Sequence, residues 1–472
     1  MTSTTAATHG GETDSPIGPL PPAEAPTRTG LLIVGSSQSG VQLAGSLRAL
    51  GYEDHITLLG DELHRPYQRP ALSKEFLQDK VDKEKLIFRT ADYWIDHRIA
   101  LVQGQRIDGV QRNEDGSGTA TSTTGHQIAF DRIALTVGAR ARTLDAEGSD
   151  QEGVIYLRNA DDALKLKDLA PQAADVVVIG GGFIGLEAAS SLHAMGKNVT
   201  VLEYGPRLIG RAVGEDTSEF FLQAHRERGL DIRLNSRIKR LTGDGSVTGV
   251  ELEDGTTVAA QIVLIGIGVV PNTSLAEDMG LEVDNGIVVD SHALASDGAT
   301  VAVGDVANMP NPLPGSPPEE RIRLESVNNA VEHAKVAAYA LMGREEEYAG
   351  IPWFWSNQAD LKLQIAGLSM GYDSTLVRRD DEKGRFSVLY YRNGRIIAAD
   401  CINHPLDFIA VKNALAKGQN ISADAAADSA VSLKSIVTAA RLSVIAEERR
   451  RPDEHPKHPC PVGRPRPDHS CR

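Results

Sequence analysis

The chain has 472 residues, of which 49 are Lys or Arg and 64 are Asp or Glu, so its formal charge is −15; 41% of it is apolar, and it carries 45 Gly but 3 Cys. At roughly 150 residues per domain this is a chain of about three domains, able to bury its own cores, and a disulfide-stapled secreted scaffold is excluded. The acidic balance argues against general nucleic-acid binding, which needs clustered Lys and Arg to neutralise phosphates.

No stretch approaches the roughly 20 consecutive apolar residues that cross a bilayer. Residues 1–28 lack the basic start and apolar middle of an export signal, so the expected location is cytoplasmic. That tail and the Pro- and charge-rich tail 447–472 are both expected to be disordered, because neither can bury enough apolar area to offset ordering entropy.

From Leu31 the chain reads LLIVGSSQSGVQLAGSLRALGYEDHITLLGDE, and from Val176 it reads VVVIGGGFIGLEAASSLHAMGKNVTVLEYG. Each predicts a buried parallel strand, a Gly-rich turn, a helix stopped by Gly51 or Gly196, and a second strand. Two such units predict two Rossmann-like nucleotide-binding domains in an α/β fold. Antiparallel strands are expected over Gly104–Val110, Gly116–Leu135, Asp231–Leu241 and Val250–Ile267. The second unit reads as inserted into the first domain, because the chain returns after Pro271 to a segment ending ATVAVGDVAN. Residues 29–145 and 274–346 then form one domain and residues 146–273 another. Residues 347–446, with strands at Phe386–Tyr391 and Arg395–Ile402 and helices over Asp407–Ala416 and Leu433–Glu447, form a C-terminal α+β domain without a nucleotide motif.

In a Gly-x-Gly-x-x-Gly turn the first Gly permits the bend, the second lets backbone approach the pyrophosphate, and the third lets helix pack on strand. Gly180, Gly182 and Gly185 supply all three, and the helix that follows offers free N–H groups to phosphate. Glu203 closes the next strand 18 residues after Gly185. It suits ribose hydroxyls and repels a 2′-phosphate, so NADH is expected; Arg207 and Arg211 stand close enough to weaken that preference. The first turn runs Gly35, Ser36, Ser37, Gln38, Ser39, Gly40, with Ser37 where the rule prefers Gly. Asp61 is its candidate ribose ligand.

The combination of PYQRPALSKEFL (Pro66–Leu77), GGGFIGLEAA (Gly180–Ala189), GIGVVPNTSLAEDMGLEVDNGIVVD (Gly266–Asp290), VGDVA (Val303–Ala307), LESVNNA (Leu324–Ala330) and WFWSNQ (Trp353–Gln358) resembles the NADH-dependent, FAD-containing ferredoxin reductases of bacterial oxygenase systems, which share a glutathione reductase-like fold. The resemblance spans Leu31 to Ala446. It implies FAD in the first site and NADH in the second. By it, the first turn holds the FAD pyrophosphate and Asp61 its ribose, with Ile107 beside the adenine. Arg69 and Lys74 flank the flavin, Lys74 near N5 and paired with Glu187. Arg140, Asp305, Glu325, the Val327 backbone N–H and Trp355 also contact FAD. Phe183, Ile184, Arg211 and Gly268 belong to the NADH side. Lys74, Glu187 and Trp355 are the catalytic candidates, and no metal is implied.

Relatives on this fold that reduce disulfides or peroxide carry Cys after the first site's loop, where this chain reads LSKEFL; its first Cys is Cys401, expected in a core strand. Electrons must therefore leave from the flavin itself, which suits a one-electron acceptor such as a [2Fe–2S] ferredoxin feeding a cytochrome P450 or Rieske oxygenase. Docking that acidic partner onto an acidic protein calls for a local cationic patch. Arg89, Lys335 and Lys412 are its candidates, with Arg321 and Arg323 beside them. A rubredoxin reductase, an NADH oxidase and an NADH-responsive flavin redox sensor remain alternatives.

Overall fold

A computed structural model describes residues 17–18, 25–313, 316–317 and 319–437. The tail 447–472 lies outside the described residues. The strands β1 (Arg28–Val34), β2 (Ile56–Leu59), β3 (Ile99–Val102), β4 (Ile107–Arg112), β5 (Gly118–Ser122) and β6 (Gln127–Leu135) build the first sheet in the order β3-β2-β1-β6-β5-β4. The later strand Val301–Ala302 joins alongside β6. β1 lies between parallel neighbours, Leu31 opposite Ile56 on one side and Arg132 on the other. Leu31, Leu32 and Ile33 are fully buried, which is why this strand is a continuous apolar run; each such side chain contributes roughly 1.5–3 kcal/mol of burial. Helix α1 (Gln38–Ala49) follows β1 directly, and α2 (Ala91–Asp96) precedes β3.

The chain then leaves this sheet through β7 (Ala139–Ala141) and enters β8 (Val154–Tyr156), α3 (Ala160–Leu169), β9 (Asp175–Ile179), α4 (Phe183–Ala194), β10 (Asn198–Leu202), α5 (Glu215–Glu227) and β11 (Asp231–Arg233). The second parallel sheet runs β11-β10-β9, then Ile262–Ile265, then β8. A three-stranded antiparallel sheet over residues 238–259 packs beside it. The return strand Val269–Pro271 pairs antiparallel with β7, so the way out and the way back form one two-stranded crossover. After it come α6 (Ser274–Asp278) and the long α7 (Val327–Leu341), which packs with α1 through Ala334, Ala337 and Ala338.

The last sheet is antiparallel, in the order Trp353–Gln358, Leu361–Gly367, Arg395–Ile402, Arg385–Arg392, Ser374–Asp380, and is backed by α8 (Pro405–Ala416). Three of these five strands have no counterpart in the sequence reading. The edge strand is pinned by Arg378, 2% exposed, whose guanidinium donates to Asp407 at 3.1 Å and to the carbonyls of Asp428 and Val431.

The expectation of disorder over residues 1–28 needs correction at the residues described there, 17–18 and 25–28. Ile17 is fully buried, its N–H donates to Nδ1 of His64 at 2.7 Å, and its carbonyl accepts from Arg65 N. An apolar residue and two backbone bonds offset the ordering of that short stretch. Ala25 packs on the core, and Arg28 already belongs to β1. No helix among the described residues is long and apolar enough to cross a membrane.

Candidate active site

The two Gly-rich turns are built alike. Gly35 has φ +113° and Gly180 φ +110°, and a Cβ on either would sit 2.3 Å from Thr136 O or 2.4 Å from Gly266 O. A Cβ on Gly40 would approach Gly35 O to 2.1 Å, and one on Gly185 would approach Gly180 O to 2.2 Å. Helix and strand therefore touch through backbone alone. Ser37 and Gly182 are the N-caps of α1 and α4, both extended and neither capped by its own side chain. The first-turn N–H groups of two 12-residue helices are thus left to a ligand, which fits the pyrophosphates of two dinucleotides. The Thr136 hydroxyl donates to Gly35 O at 2.7 Å and so braces the turn.

In the second site Glu203 accepts from the N–H groups of Gly181 and Gly205, each at 2.6 Å, which fixes its carboxylate at the end of β10. Arg207 is bound inside its own loop, to Val213 O and Gly210 O at 2.7 Å each. Arg211 is exposed, close to Gly268, which has φ +101°. Phe183 packs on Phe354 with ring centroids 4.6 Å apart, and Ile184 is largely exposed.

The first site has a narrow cleft lined by Ser36, Ser37, Glu62, His64, Pro66, Tyr67 and Arg69. Arg69 crosses it, donating to Ser37 Oγ at 3.1 Å, to Arg158 O at 2.9 Å and to Glu62, and lying over the Tyr67 ring. Gln38 and Ser39 open α1, and Ser39 is buried beneath Gly304. Asp61 is exposed and makes no hydrogen bond among the described residues; Glu62 is the carboxylate drawn into the cleft, because it finds Arg69 and the Tyr67 hydroxyl at 2.6 Å. Arg140 is exposed and reaches Asn272 Oδ1 at 3.3 Å across the crossover, whereas Arg158, which the sequence reading passed over, pairs with Asp305 at 3.2 Å.

Ile107 is buried in the core cluster that holds Leu59 and Val102. Glu325 pairs with Arg323 at 2.7 Å, and Val327 opens α7, whose N-cap Ser326 accepts from Asn329 N. Trp355 is half-buried beside Trp353, ring centroids 5.5 Å apart.

At the junction of the loop, α4 and the last sheet lies a buried ion pair: Lys74 Nζ is 2.6 Å from Glu187 Oε2, with Lys74 9% and Glu187 5% exposed. Ser73 Oγ donates to the same oxygen at 2.6 Å, and Ser356 Oγ donates to Oε1 at 2.7 Å. A buried carboxylate persists as an ion only when so surrounded. Ser73, Ser356 and the residues behind them escaped the sequence reading; the alternation Ser356, Gln358 along a strand was the available signal. Cys401 is fully buried in its strand and its thiol is pushed well up by burial, so it is no redox relay. Among the described residues no group of three or more His, Cys, Asp or Glu is placed to hold a metal ion.

Two Rossmann-type turns, with a buried ion pair joining the loop that carries Arg69 to the helix opened by the second turn, mark an oxidoreductase that uses two dinucleotides. Residues 29–334 match the family model for pyridine nucleotide-disulphide oxidoreductases, and residues 353–437 match the reductase C-terminal model. The chain is 40% identical to rhodocoxin reductase from Rhodococcus erythropolis over 86% of its own length and 93% of that protein's. It is 36% identical to putidaredoxin reductase from Pseudomonas putida, covering 88% and 98%. Among solved structures, the covalent putidaredoxin reductase–putidaredoxin complex aligns with a TM-score of 0.83 at 35% identity, covering 88% of this chain and 99% of that one. The chain belongs to the pyridine nucleotide-disulphide oxidoreductases, within their ferredoxin reductase branch, whose members use FAD and NAD(P)H.

Proposed function

We propose that the protein carries electrons from NADH through FAD to a [2Fe–2S] ferredoxin serving a cytochrome P450 or Rieske oxygenase. The observation that carries this reading is the buried Lys74–Glu187 pair, which joins the loop carrying Arg69 to the helix opened by the second Gly-rich turn, in a segment without a thiol. Bound FAD supplies the chemistry that no side chain can, acceptance of a hydride and release of electrons one at a time. The protein's contribution is binding, orientation and charge. The starts of α1 and α4 would hold the pyrophosphates of FAD and NADH, and Arg69, anchored by Ser37 and Glu62, would flank the first. Lys74 places a cation where negative charge develops, and Glu187 holds that ammonium still. Trp355 and Trp353 give the last sheet an aromatic face beside α7, where Trp353 N meets Asn328 Oδ1.

NADH over NADPH follows from Glu203, locked by two backbone donors, and from Arg207, whose guanidinium is spent on its own loop and so is not offered to a 2′-phosphate. For the acidic partner, Lys412 lies over Trp353 at 4.7 Å, Arg89 stacks on Tyr93 at 5.0 Å, and Lys335 pairs with Glu332 at 2.8 Å. These three remain the proposed docking cations. Arg321 and Arg323 drop out, because their guanidinium groups bond the carbonyls of Val289, Asn308 and Asp305 and the Glu325 carboxylate.

The test is anaerobic reduction with NADH and then NADPH, followed by cytochrome c reduction with and without an added [2Fe–2S] ferredoxin. Rapid flavin bleaching by NADH and ferredoxin-dependent cytochrome reduction are expected. Bleaching with no transfer to any ferredoxin would overturn the reading.

A further inference from the structure

Behind the Lys74–Glu187 pair runs a line of buried polar groups that the proposed reaction does not use. His225 on α5, Gln358 and Ser356 are all fully buried. His225 Nε2 lies 2.7 Å from Gln358 Oε1, Gln358 Nε2 donates to Ser356 Oγ at 3.1 Å, and Ser356 Oγ donates to Glu187 Oε1 at 2.7 Å. The directions are set from the far end. Glu187, as a carboxylate, only accepts, so Ser356 must donate to it; Gln358 must then donate to Ser356 with its amide nitrogen, which leaves its carbonyl facing His225. His225 therefore carries its proton on Nε2. Its other nitrogen has no partner among the described residues and burial lowers its affinity for a second proton, both consistent with a neutral imidazole.

Every link in this chain donates towards Glu187. The opposite oxygen of Glu187 takes Lys74 and Ser73, while the Ser356 hydroxyl is the side-chain donor on Oε1. Ser356 and Gln358 sit two residues apart on one strand, so the same face of a rigid sheet presents both. The loop bearing Lys74, in contrast, runs through short turns. A rigid element thus fixes a charge on a less regular one, the arrangement expected where a reacting geometry must be held closely.

We propose that Ser356 is a positioning residue, the terminal donor of a one-way chain from His225 through Gln358, which holds the Glu187 carboxylate in one rotamer and through it sets the place of the Lys74 ammonium. This rests on the reading above, in which Lys74 serves reduction of the flavin. Without the Ser356 hydroxyl, the negative charge of Glu187 concentrates on its contact with Lys74, and less of the ammonium's field reaches the reacting group.

The test compares the FAD-loaded wild type with S356A, S356T and Q358M, in stopped-flow reduction by NADH and in potentiometric titration. For S356A the account expects reduction about tenfold slower, the size expected for one lost hydrogen bond to a charged group, with the NADH KM within about twofold. It also expects a two-electron flavin potential more negative by about 30 mV, the tenfold equivalent. S356T, which keeps the hydroxyl, retains wild-type values, and Q358M shifts both in the same direction by less. In a K74M background, S356A has no further effect on rate or potential, because its influence passes through Lys74. Wild-type rate and potential in both S356A and Q358M, or an S356A effect undiminished by K74M, would overturn the inference. Should S356A lose its flavin, Q358M and its K74M double variant decide on the same criteria. A wild-type protein that NADH leaves oxidised would overturn the functional reading, and this inference with it.

Discussion

The two Gly-rich turns place the same backbone around different middle residues. At the outer positions they agree: Gly35 and Gly180, Gly40 and Gly185 each stand where a Cβ would run into a carbonyl within 2.4 Å. At the middle they part. A Cβ on Gly182 would meet nothing within 4 Å, so that glycine is not demanded by the protein's own packing, whereas Ser37 occupies the matching N-cap and accepts a hydrogen bond from Arg69. The outer glycines thus serve strand–helix contact, and the middle position serves what lies in front of the helix. In the first site that space is shared with Arg69; in the second it is left open.

The sharpest way to break this comparison is to fill an outer position. G40V and G185V each force backbone apart and are expected to cost about 3 kcal/mol or more of stability, G40V with loss of bound flavin, both read by thermal melting and absorbance. Next comes K74M, expected to slow hydride transfer from NADH by about 100-fold with little change in KM, since the cation lies beside the turns and not in them; stopped-flow bleaching measures it. A smaller effect follows from E203A, which removes the acceptor of two backbone N–H groups and of the proposed ribose contact. It should reduce the preference for NADH over NADPH about tenfold or more, as the ratio of their kcat/KM values. The smallest concerns the middle residues themselves. S37G should change stability by only a few tenths of a kcal/mol, while G182S should fold like the wild type and weaken NADH binding several-fold, as measured by titration calorimetry of the flavin-loaded protein.

These contrasts also show what could be read from the chain. The outer glycines, the apolar strand Leu31–Val34 and Glu203 were legible because each is specified within some 20 residues by local sterics and periodicity. Lys74 with Glu187 was reachable only through family resemblance, since 113 residues separate them. Glu62, Arg158, Ser356, Gln358 and His225 were not seen. Each is a polar residue whose importance comes from a partner brought near by tertiary packing; beyond the strand alternation of Ser356 and Gln358, such contacts leave no periodic trace. Asp61 is placed by its position along the turn, whereas the pairing of its neighbour Glu62 with the Arg69 guanidinium is a tertiary contact that no local rule shows. Ile17 was assigned to a tail on composition, which could not reveal a single apolar residue bound to the His64 loop.

Passage of electrons through the flavin without a thiol relay is the step on which the proposed function stands. Its most direct test is the stoichiometry of anaerobic NADH titration of the flavin-loaded protein. One equivalent of NADH per flavin should complete the bleaching, and the protein should titrate with no free-thiol change. A requirement for two equivalents, with a second pair of electrons stored on cysteine, would contradict it.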